Sequence, residues 1–152
     1  MASLKSTIFG GLAAAVVDIG AACLISGRGV VVILHSIAGG LVGSAAMQGG
    51  SGTAILGFLL QVAMGVLIAV AYYFAAKLLP KLAQRWVVSG LIFGVAVFLV
   101  MNYVVLPLSA WQRVPHFTMT SLAENLVAML VFGIIIAMFA RTDRRAGRFT
   151  AI

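Results

Sequence analysis

Segment after segment of this chain runs apolar for longer than the ~18 residues that a bilayer-crossing helix needs. Residues 53–76 and 86–106 contain no charged side chain, 7–25 contains only Asp18, and 119–140 contains only Glu124. A soluble domain carries about 25% charged residues and must cover its surface with polar groups. Here 9% are charged and 63% hydrophobic, so too little polar surface exists to face water on all sides. The reading is an all-α polytopic membrane helix bundle occupying one domain, 1–152.

The breaks between the runs are legible too. Ser26-Gly27-Arg28-Gly29 is a turn by composition, Pro80 reads as a stop just past a helix end, and Pro107 ends the run that begins at Trp86. Residues 30–47 are ambiguous, because the segment is apolar but holds His35, Ser36, Ser44, the pair Gly39-Gly40 and Gly43. At ~1.5 Å per residue it just spans a core of ~30 Å, and it equally suits a re-entrant or interfacial helix. The run from Gln48 to Gly52 breaks any helix. We therefore expect four transmembrane helices, near 7–25, 53–76, 86–106 and 119–140, with a half-inserted helix near 30–47 and a basic tail at 141–152. The first run is long and is followed by Gly-Arg-Gly without a small-residue cleavage site, so it reads as a retained helix rather than a signal peptide.

A net charge of +7 in a soluble protein would point to nucleic acid. In this chain the cations sit at the ends of the apolar runs, where they set topology and meet lipid headgroups, and no nucleic-acid partner is expected. With four spans and an internal N-terminus, Lys5, Lys77, Lys81, Arg85, Arg141, Arg144, Arg145 and Arg148 lie inside and Arg28 and Arg113 outside, eight of the ten cations against two. With five spans and an external N-terminus, Arg28 exchanges places with Lys5 and the ratio is the same. The charge rule leaves the count open, but both arrangements make the 77–86 loop and the tail cytoplasmic and the 107–118 loop external. Lys77, Lys81, Arg85 and the four tail arginines are the expected contacts to anionic headgroups. Trp86, Trp111, Tyr72, Tyr73 and Tyr103 fall near span ends, where an aromatic belt sits.

Several short motifs occur in a recognisable order: Ala71-Tyr72-Tyr73 through Leu79-Pro80-Lys81, Gly90-x3-Gly94, Met101-Asn102 with Leu106-Pro107-Leu108, then Glu124 and Arg141-Thr-Asp143-Arg144-Arg145. Over about two thirds of the chain this pattern resembles the YagU-like family of small bacterial inner-membrane proteins. The resemblance implies a four-span inner-membrane protein and supplies no biochemical activity. The family pattern carries histidines in its spans. Here Gln61 and Asn102 stand near two such positions, and Val127-Ala128 replaces a Gly-His near Glu124, so histidine-based metal or proton chemistry does not carry over. A second likeness, to other bacterial membrane proteins, rests on His35-Ser36-Ile37-Ala38-Gly39-x-Leu41-x-Gly43 and on 101–110.

The candidate functional residues are the polar groups inside the spans. A charged carboxylate at mid-span costs about 2.5–3.5 kcal/mol on insertion scales, so Asp18 needs a partner. It lies on a stripe of small residues, Gly11, Ala14, Ala15, Ala21 and Ala22, that should face the bundle. Antiparallel spans bring Asp18, Gln61, Asn102 and Glu124 into the outer half, where His35 can join them. These five form a candidate polar cluster, either as glue between helices or as the lining of an external cavity. Glu124 also suits the positive end of the last span. The glycines at 39/43, 90/94 and the series Gly57, Gln61, Gly65, Ala69 give close-approach faces, for packing within the chain or against a second copy.

Two distant histidines without ligand spacing do not make a metal site, and no cofactor is expected. Gly49-Gly50-Ser51-Gly52 lacks the Gly-Lys-Ser/Thr of a phosphate loop, no Gly-x-Ser-x-Gly elbow occurs, and the three acids lie in distant segments. The expected function is that of a non-catalytic accessory or envelope protein of the inner membrane, with lipid and a homo-oligomeric or membrane-protein partner. The alternative is a small transporter or channel-like oligomer for protons or a small solute.

Overall fold

The computed structural model describes the backbone of residues 4–112 and 116–149, and their side chains apart from Pro80, Ala83 and 142–149. Helices are its only regular structure among these residues, and five of its segments are long and apolar enough to cross a membrane. The helices are α1 (Leu4–Ser26), α2 (Val30–Val42), α3 (Ser51–Leu78), α4 (Pro80–Gln84), α5 (Trp86–Val100), α6 (Leu106–Leu108) and α7 (Met119–Phe149). A 3₁₀ segment, Gly43–Gln48, follows α2, and a π-turn, Met101–Val105, joins α5 to α6. Large apolar side chains such as Phe9, Leu24, Ile55, Leu67 and Ile92 face outward, while the interior is rich in glycine and alanine. That distribution suits a bundle solvated by hydrocarbon, where small residues let helices approach and large ones meet lipid.

Four helices form the antiparallel frame. Along α1 and α3, numbers rise in one helix as they fall in the other: Gly11 meets Gly65 and Ala69, and Asp18 meets Gln61. A Cβ on Gly11 would lie 2.6 Å from the Gly65 carbonyl oxygen, and one on Gly65 would lie 2.7 Å from that of Gly11. Helices α5 and α7 close in the same way, with Gly90 and Gly94 against Gly133 and Met129. Helix α7 also runs antiparallel to α1, where Gly10 packs on Phe139 and the Ser6 hydroxyl donates to the Phe139 carbonyl at 3.1 Å. The glycine faces are thus used within the chain. The core they enclose contains Ala14, Ala69, Tyr72, Ala76, Val97, Phe132, Ile136, Ala137 and Ala140.

Because α1 and α3 are antiparallel neighbours, α3 begins at the end of the bundle where α1 stops. The intervening α2 and 3₁₀ segment therefore start and finish at that same end. Gly43 breaks them apart with φ of 75°, in the left-handed region that suits glycine. The chain then doubles back, and the Ser36 hydroxyl lies 3.9 Å from the Met47 sulfur. In a straight α-helix eleven residues would separate them by about 16 Å. The hairpin is tied to the far side of the bundle by Ala110 N–H donating to Gly40 O (2.8 Å) and the Trp111 indole N–H donating to Ser36 O (2.9 Å). Gly39 leaves the room into which the Trp111 ring fits.

Four sequence expectations change. Residues 51 and 52 already belong to α3, so only Gly49-Gly50 breaks the chain there. Pro107 does not end its helix: in the π-turn just before it, Leu106 N–H reaches back to Met101 O, and the widened turn relieves the clash a proline makes with the carbonyl four residues earlier. The tail is no separate element over 141–149, because α7 continues to Phe149; hydrophobicity ends at the arginines, but helix propensity does not. Tyr72 is not a belt residue. It is 2% exposed, because it continues the small-residue stripe of α3 into the core.

Candidate functional site

The five polar positions separate into one pair and three individuals. Asp18 and Gln61, carried by α1 and α3, meet across the glycine-mediated contact, and the Gln61 amide donates to the Asp18 carboxyl oxygen at 2.8 Å. The half-buried carboxyl thus has a donor from another helix, four residues along from the Gly65 contact that sets the helix spacing. Asn102 turns back on its own helix, its amide donating to Phe98 O at 2.8 Å beside the π-turn. His35 hydrogen-bonds through Nε2 with Gly50 O at 3.2 Å and closes the base of the α2 hairpin. These two are local braces rather than members of a cluster.

Glu124 is exposed, and it lies past the first turn of α7. The helix start is built instead by a reciprocal pair: Ser121 N–H donates to Thr118 Oγ1 at 3.2 Å and Thr118 N–H to Ser121 Oγ at 3.0 Å. That is a capping box with serine in the third position. The expected helix-terminus role of Glu124 is therefore taken by Thr118 and Ser121. Glu124 instead edges an apolar groove of about 430 Å³ between α1 and α7, with Val17, Ala21, Ile25 and Val127 on its walls. Among the described residues no three His, Cys, Asp or Glu side chains gather, and His116 is exposed in the loop before α7.

At the opposite end of the bundle, α3, α4 and α5 form a second polar centre that the sequence did not single out. The Ser89 hydroxyl lies 2.7 Å from Leu82 O and 2.8 Å from the Tyr72 hydroxyl. A hydroxyl has one proton, so with Ser89 donating to the α4 carbonyl, Tyr72 donates to Ser89. The Tyr72 ring meets Phe93 edge-on at 4.9 Å. This locks the α4 corner to both long helices. The cations collect at this end. Lys77, Lys81 and Arg85 are exposed, and the half-buried Arg141 stacks its guanidinium 5.0 Å from the centre of the Trp86 ring. The side chains of Arg113, Arg144, Arg145 and Arg148 lie outside the described residues.

Chemically, the pairs inside the frame satisfy polarity rather than offer it. An amide-to-carboxyl bond, a tyrosine-serine-carbonyl relay and side chains returned to their own helix all lower the cost of burying polar atoms in hydrocarbon. Set beside family models, curated proteins and solved structures, the chain has no match in any of the three.

Proposed function

We propose that the chain is a non-catalytic accessory protein of a bacterial inner membrane, holding a shaped outer surface for a partner rather than transforming or moving a substrate. The observation that carries this reading is the Asp18–Gln61 bond: the one carboxyl that lies inside the frame among the described residues is engaged by a neighbouring helix. Asn102, Tyr72 and Ser89 are likewise engaged. The hairpin of α2, secured to Ala110 and Trp111, supplies a rigid outer cap suited to docking. The test is reconstitution into liposomes with an internal pH dye. Wild type and Asp18→Asn are expected to leak protons no faster than protein-free vesicles. Flux in the wild type that Asp18→Asn removes would replace this reading with the transporter one.

We also propose four spans, formed by α1, α3, the α5–α6 unit and α7, with the α2 hairpin half-inserted at the outer end. The antiparallel α1–α3 contact supports this, because a single crossing by α2 would make α1 and α3 parallel. The clustering of cations at the other end supports a cytoplasmic placement for it. In a chain with Cys23→Ala, an impermeant thiol reagent should label Arg28→Cys and Gln112→Cys in intact cells, and Gln84→Cys only after permeabilisation. Protection of Arg28→Cys would mean five spans, and labelling of Gln84→Cys from outside would reverse the orientation.

A further inference from the structure

The cleft between α4 and the first turns of α5, at the cation-rich end, has a shape and chemistry that general headgroup attraction does not require. It encloses about 520 Å³ and is lined by Lys81, Leu82, Gln84, Arg85, Val88, Ser89 and Ile92. Lys81 and Arg85 are four residues apart on one turn, since Arg85 N–H donates to Lys81 O at 3.2 Å, and both side chains border the same space. Of the acids whose side chains are described, Asp18 is bound to Gln61 and Glu124 edges the groove at the other end of the bundle. Neither cation has a carboxylate partner among the described residues.

From the basic rim the wall changes character along α5. Val88 and Ile92, one turn apart, are 52% and 63% exposed and continue the line from Arg85 into the apolar zone. The floor is fixed, because Ser89 holds Leu82 O and is itself held by Tyr72. Two positive charges above an apolar strip call for a ligand with an anionic head and a hydrocarbon tail.

We propose that this cleft is a binding site for a single anionic glycerophospholipid, its phosphate between Lys81 and Arg85 and one acyl chain along Val88 and Ile92. The site rests on the reading of this end as lying at the membrane surface, but its test is done in detergent and does not depend on which side of the membrane that is. Lys77 provides the internal control, because it is exposed at the end of α3 and does not line the cleft. Diffuse attraction would weigh Lys77 and Lys81 alike.

The delipidated protein is titrated with phosphatidylglycerol, with phosphatidylcholine of the same acyl chains, and with glycerol phosphate, following bound lipid by native mass spectrometry and unfolding by a thermal shift. One phosphatidylglycerol should be retained and raise the unfolding temperature. Phosphatidylcholine should bind far more weakly, and glycerol phosphate should produce no shift. Lys81→Gln with Arg85→Gln should lower affinity for phosphatidylglycerol by about thirtyfold. Lys77→Gln should leave it unchanged, and Lys81→Arg with Arg85→Lys should restore most of it. The lipid-free unfolding temperature of each variant separates lost binding from lost fold. Equal retention of the two lipids, an effect of Lys77→Gln matching that of the pair, or binding of glycerol phosphate alone would each overturn the proposal. None of these outcomes touches the topology, which stands or falls on thiol labelling.

Discussion

Gly133→Ala is expected to be strongly damaging for a change of a single methyl group. A Cβ at that position would collide with the carbonyl oxygen of Gly90, lie 2.7 Å from the nitrogen of Gly94 and 2.9 Å from its Cα. All three obstacles are backbone, so no rotamer change relieves them and α5 must move away from α7. Overpacking of this kind costs about 1–3 kcal/mol, and here the loss falls at the upper end because the separation also loosens the contacts around Phe132 and Ile136. Gly20→Ala is the matched control. It lies on α1 with nothing within 4 Å of the added methyl, and alanine in a helix is favoured over glycine by about 0.5–1 kcal/mol. Thermal unfolding in mild detergent should therefore fall sharply for Gly133→Ala and hold or rise for Gly20→Ala. Equal curves for the two variants would mean that α5 and α7 do not meet as described.

The second large effect is expected at the cross-helix pair, and its sign pattern matters more than its size. Gln61→Leu removes the donor and leaves the Asp18 carboxyl among Gly and Ala backbones in an apolar frame. A buried polar group left without its hydrogen-bond partner costs about 1–3 kcal/mol, so a loss of about 2 kcal/mol is expected. Asp18→Leu should cost less, because it also removes a carboxyl that is expensive to keep inside a span. The double variant Asp18→Leu, Gln61→Leu should be more stable than Gln61→Leu alone, since replacing both partners removes the burial cost with the bond. A double-mutant cycle in detergent reads this coupling directly. Simple addition of the two single losses would show that the pair does not act as a unit.

Much of the frame can be read from the residues. The run lengths place the long helices, and the stripe Gly57, Gln61, Gly65, Ala69 marks the face of α3 that meets α1 and α2. Extended by one step the same stripe reaches Tyr72, which belt statistics place at the surface and which the stripe places inside. The Asp18–Gln61 pair was also legible, because both lie on small-residue faces of antiparallel neighbours. Asn102 and Glu124 share their depth in the bundle but not their direction, and residue spacing fixes depth better than the angle around a helix axis. The reversal after Gly43 was open between two readings because composition is silent on the φ of one glycine. Trp111 carried no hint of its Ser36 partner, since nothing local links a loop tryptophan to a carbonyl 75 residues earlier.

That separation bears on how the protein is made. Ribosomes deliver this chain from its N-terminus, so α1, the α2 hairpin and α3 exist before Ala110 and Trp111 have been synthesised. Until then the carbonyls of Ser36 and Gly40 lack the donors that later hold them, and Gly39 faces an unfilled gap. The Ser6–Phe139 bond spans 133 residues and closes later still. Assembly therefore ends where it began, with the last helix sealing the first, and a chain stopped just after Trp111 carries a finished cap on an open bundle.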